Sequence, residues 1–350
     1  MNLHQPHETV VRARAPLRLG FGGGGSDLSP FCEQHGGYVL NATINLFVYA
    51  VLELHVDGPV RFVAADRQES IELEPSCDMP LDGALSLHKS VYCRIMRDFN
   101  GGRALPVTLT TYSDVAAGSG LGSSSTLVVA MVGAFQELLD LPLGEYDVAQ
   151  LAYAIERGDA GMVGGRQDQY AATFGGFNFM EFGVGDRVVV NPLRINRTTV
   201  NELEASLVIC NTGMPRDSDA IIQAQASNVK HGDQRSLEAT HKLKQEALSM
   251  KEALLKGNIR RFAEVLEQGW LSKKRTASGV SNADLERIYQ AAMDGGAYSG
   301  KVSGAGGGGF MMFVVDPPRR PDVFRALRCQ QVQPIAVQFI EQGAIAWRLK

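Results

Sequence analysis

What this sequence lacks narrows it first. Its 350 residues include five cysteines (Cys32, Cys77, Cys93, Cys210 and Cys329), odd in number and without a C-x-x-C pair. That excludes a disulfide framework and leaves reduced thiols, as in a cytosolic chain. The seven histidines are scattered with no metal-ligand spacing, so a zinc centre is not expected. No run approaches the roughly 18 apolar residues that a membrane span needs. The first eight residues, from Met1 to Glu8, lack the basic and then apolar order of a secretory signal. A net charge of −4 gives no electrostatic pull toward nucleic acid. Internal repeats and low-complexity tracts are missing too. The expectation is a soluble, cytoplasmic chain with no nucleic-acid or membrane partner.

Hydrophobic residues at 45% against charged residues at 21% support a sizeable packed core, and the length suits two domains. Glycine is the outlier. Its 38 residues are clustered rather than periodic, which points to loops at sites.

Three of those clusters stand out. In residues 115–127, glycines at 118, 120 and 122 permit a sharp turn and three serines follow. Leu127, Met131, Ala134, Phe135 and Leu138 then keep helical spacing, so a buried helix is expected from the serines. A glycine-rich turn feeding a helix N-terminus is a ready site for phosphate, although a glycine-rich hairpin before a capped helix would read the same. Residues 10–21 alternate as one or two strands interrupted at Ala15-Pro16, and run into Gly22-Gly23-Gly24-Gly25-Ser26-Asp27. Four consecutive glycines let backbone approach something closely, and Asp27 either N-caps the segment 28–35 or meets a ligand, or both. The third cluster, residues 303–309, is flanked by strands at 297–302 and 310–315.

The remainder reads as strands at 38–54, 60–64, 71–73 and 106–112, with a helix at 85–99 that places Val91, Ile95 and Phe99 on one face. Glu156 ends a helical run that glycines at 158, 161, 164 and 165 break, and Asp168 falls in the first turn of the next helix. In isolation Glu156 passes for a solvated helix residue and Asp168 for an ordinary first-turn acid. Strands at 177–182 and 188–190 lead to a domain boundary near residues 196–199. Beyond it come strands at 206–210, 335–340 and 344–349, and helices at 220–231, 236–255, 259–271, 284–293 and 321–329. The run Lys273-Lys274-Arg275 reads as a wetted helix end. Interleaved helices and antiparallel strands make the class α+β rather than a doubly wound sheet.

No G-x-x-x-x-G-K-[ST] occurs, the tract at Gly22 lacks the dinucleotide-binding register, and the protein-kinase motif set is absent. Taken together, the three loops resemble the three motifs of the GHMP small-molecule kinase family. Motif one is Arg14-Ala15-Pro16-Leu17-Arg18-Leu19 with residues 22–27, motif two is 115–126, and motif three is 303–310. The resemblance covers essentially the whole chain. It implies the GHMP kinase fold: an N-terminal domain (1–197) like ribosomal protein S5 domain 2 and a C-terminal ferredoxin-like α/β domain (198–350). It implies ATP held by Gly118, Ser119, Gly120, Leu121, Gly122, Ser123, Ser124 and Ser125, and Mg²⁺ on Ser124 and Glu156. Asp168 matches the catalytic aspartate, with Arg18 beside it. Gly23, Gly24, Gly25, Ser26 and Asp27, with Gly306 and Gly307, would face the acceptor.

One departure bears on that acceptor. Galactokinase-like enzymes carry a Glu-His pair before the motif-one aspartate, whereas four glycines and Ser26 stand here. With Leu87-His88-Lys89 and Thr212-Gly213-Met214-Pro215-Arg216, the pattern resembles the family's heptose kinase branch. That branch implies phosphorylation of the anomeric (C1) hydroxyl of a heptose 7-phosphate, toward GDP-heptose for surface polysaccharide. An acceptor that already carries a phosphate calls for cations, and Lys89, Arg166 and Arg216 are candidates, each equally readable as solvated surface. An L-fucose kinase-like enzyme is the nearest alternative, and a non-catalytic sugar-sensing homologue is another. Against the latter, Arg18, Ser124, Glu156 and Asp168 occur together. A decarboxylating relative is disfavoured by motif one, and a homodimer is left open.

Overall fold

The computed structural model describes residues 9–185, 187–214 and 218–349. The expectations for the first eight residues and for Arg216 lie outside them. In chain order the elements are β1 (Thr9–Gly22), α1 (Phe31–His35), β2 (Gly37–Leu54), β3 (Val60–Ala64), β4 (Glu69–Leu73), α2 (Ser86–Phe99), β5 (Val107–Ser113) and α3 (Ser123–Leu139). Then come α4 (Glu145–Tyr153), a π-helical turn (Ala154–Asp159), α5 (Gln167–Phe174), β6 (Phe177–Phe182), β7 (Val188–Pro192), α6 (Arg197–Ser206) and β8 (Leu207–Asn211). The rest is α7 (Ser218–Lys230), α8 (Gln234–Leu255), α9 (Ile259–Lys273), α10 (Ala283–Asp294), β9 (Ala297–Val302), β10 (Phe310–Val315), α11 (Arg320–Cys329), β11 (Gln333–Ile335) and β12 (Ile345–Arg348).

The strands form two sheets. The first has the order β12-β1-β2-β5-β3-β4, with β6 and β7 continuing from the other half of the long strand β2. The second runs β11-β8-β10-β9. A division at residue 197 therefore separates the sheets but not the chain end: β12 returns to pair antiparallel with β1. The expected strand at 335–340 is displaced: β11 is Gln333–Ile335, sharing only Ile335 with it, and Phe339 makes an isolated bridge to Ile44.

β1 shows how sequence pattern sets the layers. Val11, Ala13 and Ala15 are buried in the core beneath α3, with Val128, Met131 and Phe135. Leu17, Leu19 and Phe21 continue the alternation but belong to a second core, with Phe262, Leu266 and Met312 from the C-terminal half. A register shift between Pro16 and Arg18 separates the two sets. The pairing passes from Pro16 opposite Phe47 to Arg18 opposite Thr43, so β2 carries two extra residues there while the two-residue period of β1 runs on unbroken into the second core. The expected interruption at Ala15-Pro16 is thus absent from β1, and the irregularity lies just beyond it, in β2. At the second core, Phe21 packs edge-on against Phe262 with centroids 5.2 Å apart, so the two halves share one apolar seam. On α2, Val91 and Ile95 are buried as expected, but Phe99 is 36% exposed at the helix end.

Candidate active site

The glycine-rich turn after β5 opens directly into α3, which begins at Ser123. Gly122 at the N-cap has φ +81°, and a Cβ there would stand 3.1 Å from the Asp168 carboxyl carbon. Only glycine lets the turn close so near that carboxylate. No side chain caps the helix, so its first N–H groups are presented to the cavity in front of it. That cavity, about 330 Å³, is lined by Gly118, Gly120, Gly122, Ser123, Ser124 and Ser125, and farther out by Leu87, His88 and Tyr112. His88 is held by Thr111 at 2.8 Å, and burial pushes its pKa down to about 4, so it stays neutral.

Ser119 and Leu121 do not line this cavity. Ser119 instead accepts the Phe310 N–H on its carbonyl at 2.8 Å, tying motif two to motif three, and Leu121 is buried in the seam core. The two residues shape the turn from behind.

A second, smaller cavity of about 80 Å³ adjoins the first, and Arg18, Gly165, Asp168, Gly304 and Ala305 line both. At that junction Arg18 Nε and Nη2 both reach Asp168 Oδ1, at 2.7 and 2.6 Å. Arg18 also donates to the Gly120 carbonyl at 2.7 Å and sits 3.5 Å from Ser303 Oγ. One buried guanidinium thus joins β1, the phosphate-type loop, motif three and the first turn of α5.

Asp27 lines the smaller cavity with Gly24 and Gly25. It does not cap α1, whose N-cap is Pro30. Asp27 Oδ2 instead accepts the backbone N–H groups of Arg166 and Gln167, at 3.1 and 3.2 Å, so it caps α5 and locates Asp168. Gly165 makes room for this: a Cβ there would lie 2.0 Å from Asp27 Oδ2. Ser26 and Gly23 line neither cavity. Ser26 Oγ lies 2.7 Å from the Gly23 carbonyl and accepts the Tyr38 N–H at 3.1 Å, which fixes the glycine tract to β2.

Glu156 is fully buried, so the solvated reading fails. The π-helical turn aims it beneath α3, where Oε1 accepts from Ser124 Oγ at 2.8 Å. Its other oxygen accepts from Ser125 Oγ at 2.7 Å and Gln169 Nε2 at 2.6 Å.

The candidate cations are placed elsewhere than expected. Lys89 lines neither cavity and donates to the Asp82 carbonyl. The Arg166 guanidinium donates to the Gly185 carbonyl at 2.7 Å and lies over Tyr153. Gly306 and Gly307 pack against Val280, with the Gly307 N–H on its carbonyl at 2.8 Å, leaving Gly304 and Ala305 at the cavities. Conversely, Lys273 is 5% exposed rather than a wetted end, and it lines the smaller cavity together with Lys301 and Gln225. Arg157 lines the larger one, 3.4 Å from Glu156. Nothing in the spacing singled out Lys301 or Gln225; Arg157 was marked only by its place next to Glu156.

Residues 86–176 match the GHMP kinases N-terminal domain and residues 250–333 the GHMP kinases C-terminal domain. The chain belongs to the GHMP kinase family, a family of ATP-dependent kinases, and has its fold. It is 49% identical to a D-glycero-alpha-D-manno-heptose 7-phosphate kinase of Campylobacter jejuni, over 97% of this chain and 99% of that protein. A solved D-glycero-D-manno-heptose 1-phosphate kinase from Bacteroides thetaiotaomicron superposes with a TM-score of 0.83 at 44% identity, covering 97% of this chain and 99% of that one. An L-fucokinase/L-fucose-1-P guanylyltransferase of Bacteroides fragilis is 25% identical over 95% of this chain, which spans 37% of that longer protein. Among the described residues no helix is long and apolar enough to cross a membrane.

Proposed function

We propose that this kinase transfers the γ-phosphoryl group of ATP to the anomeric C1 hydroxyl of D-glycero-D-manno-heptose 7-phosphate in the cytoplasm. The product would be the 1,7-bisphosphate, toward GDP-heptose for surface polysaccharide. The observation that carries the reading is full-length identity of 49% to a heptose 7-phosphate kinase, against 25% to the fucokinase. The junction of the two cavities at Arg18 and Asp168 supplies the chemistry.

In this reading the larger cavity takes ATP, with its phosphates against the N–H groups at the start of α3, and the smaller takes the sugar. Asp168 meets the acceptor hydroxyl where the cavities join, orients it, and receives its proton as the new bond forms. Arg18 keeps that carboxylate in place and offsets charge on the transferring group. Ser124 Oγ and Glu156 Oε1 are hard oxygens 2.8 Å apart, close to the spacing of adjacent ligands around Mg²⁺. They would hold Mg²⁺, which neutralises phosphate charge when bound.

The test is an ATP-dependent assay with heptose 7-phosphate, mannose and L-fucose side by side, locating the new phosphate by ³¹P NMR. The expected result is a second phosphate at C1 of the heptose. Preference for fucose, or a phosphate elsewhere on the ring, would refute the proposal, and no ADP release from any acceptor would favour a sugar-sensing homologue.

A further inference from the structure

Two lysines from the C-terminal half converge on the smaller cavity. Lys273, the last residue of α9, donates from Nζ to the Gly24 carbonyl at 3.0 Å. Lys301, in β9, donates to the carbonyls of Gly20 and Phe21, each at 3.0 Å. Both are nearly buried, at 5% and 7% exposure, and both line this cavity but not the larger one. They therefore stand apart from the nucleotide side of the site. Gln225, which donates to Thr276 at 3.0 Å, completes the wall with its side chain 3.9 Å from where a Gly25 Cβ would be.

Such an arrangement costs stability. Burial weakens the Lys301 ammonium most, and the charges of Lys273 and Arg18 weaken it further against support from Glu246, so its pKa is pushed down to about 7. Neighbouring ammonium groups in a cavity of low dielectric repel, and a doubly negative ligand between them converts the repulsion into attraction. The backbone carbonyls of Gly20 and Phe21 at the end of β1 and of Gly24 in the glycine tract hold the two heads in position ahead of binding, so a ligand need not order them.

We propose that Lys273 and Lys301 form the subsite for the phosphate that the acceptor sugar already carries. This rests on the sugar-phosphate reading of the smaller cavity. The subsite makes the acceptor's phosphate, rather than its ring hydroxyls, the main source of preference. Loss of one charge-assisted contact to a phosphate should weaken binding by about tenfold to a hundredfold.

The experiment compares the full chain with Lys273→Met and Lys273→Arg, measuring kcat/KM for heptose 7-phosphate and for the same heptose without phosphate. Lys273→Met should lower the preference for the phosphorylated sugar by about tenfold to a hundredfold, through KM, and Lys273→Arg should recover most of it. An equal loss on both sugars, or no loss, would overturn the assignment, since a lysine that only pins the glycine tract would act on both alike. Calorimetry of inorganic phosphate without ATP separates this from the proposed reaction. If no sugar phosphate is turned over, the reaction falls, while phosphate binding that Lys273→Met abolishes still upholds the subsite. Absence of binding by the unaltered chain overturns it.

Discussion

Replacing Asp168 by asparagine separates what this residue does for the fold from what it does for transfer. Arg18 holds Oδ1, at 2.7 and 2.6 Å, while Oδ2 lies over Gly122, 3.2 Å from where a Cβ would be. Asparagine can keep its carbonyl toward Arg18 and place its amide where Oδ2 was. Arg18 retains the Gly120 carbonyl at 2.7 Å. The change therefore exchanges charge-assisted hydrogen bonds for neutral ones, a loss of about 1–2 kcal/mol of stability. In a domain of this size that is a Tm decrease of roughly 2–8 °C. The amide cannot accept the acceptor's proton, and general-base assistance is worth about 10²–10⁴ in rate, or roughly 3–5 kcal/mol of barrier. The expected outcome is kcat at least about a hundredfold lower, a KM for ATP within about threefold of the unaltered value, and a folded protein by calorimetry. ADP release in a coupled assay reads the rate. A folded variant that keeps kcat within about tenfold would show that Asp168 is not the base.

Two further outcomes follow from buried groups. Glu156→Gln leaves Gln169 and Ser125 an acceptor oxygen but turns an amide toward Ser124 and the nearby Arg157, so it should cost about 1–3 kcal/mol in urea unfolding and move the Mg²⁺ activation curve to higher concentration. An unchanged Mg²⁺ dependence would remove Glu156 from the metal site. Lys301 has its folded pKa pushed down to about 7, below its value in the unfolded chain. Between those two values the unfolded state binds more protons, so this group makes stability rise with pH, and its full penalty is present below about pH 7. Unfolding of the unaltered chain and of Lys301→Met at pH 6, 7.5 and 9 should show the former gaining on the latter as pH rises. A constant gap would refute the assignment.

How far the sequence reached depends on whether a feature is local. The start of α3 at the serines, the three strand-to-glycine turns and the place of Asp168 in the first turn of α5 were all legible. Each follows from a few neighbouring residues: glycine where φ must be positive, apolar spacing at the helical period, an acid at a helix start. The partnership of Arg18 with Asp168 lies 150 positions apart in the chain, and only the family resemblance suggested it. The burial of Glu156 was invisible, because a π-helical turn rather than the α-helical period decides where it points.

By itself, then, the sequence determined most of the succession of elements, though not α6 or the place of β11, and the three loops with the acids and hydroxyls at their ends, because those are set by backbone preference and short-range pattern. Which lysines line the smaller cavity was decided by tertiary structure alone. Lys89 and Arg166 end on carbonyls away from both cavities, whereas Lys273, read as a solvated helix end, closes on Gly24 beside Lys301. A lysine or arginine side chain is long and flexible, so its destination depends on where another element presents an acceptor, and not on its neighbours in the chain.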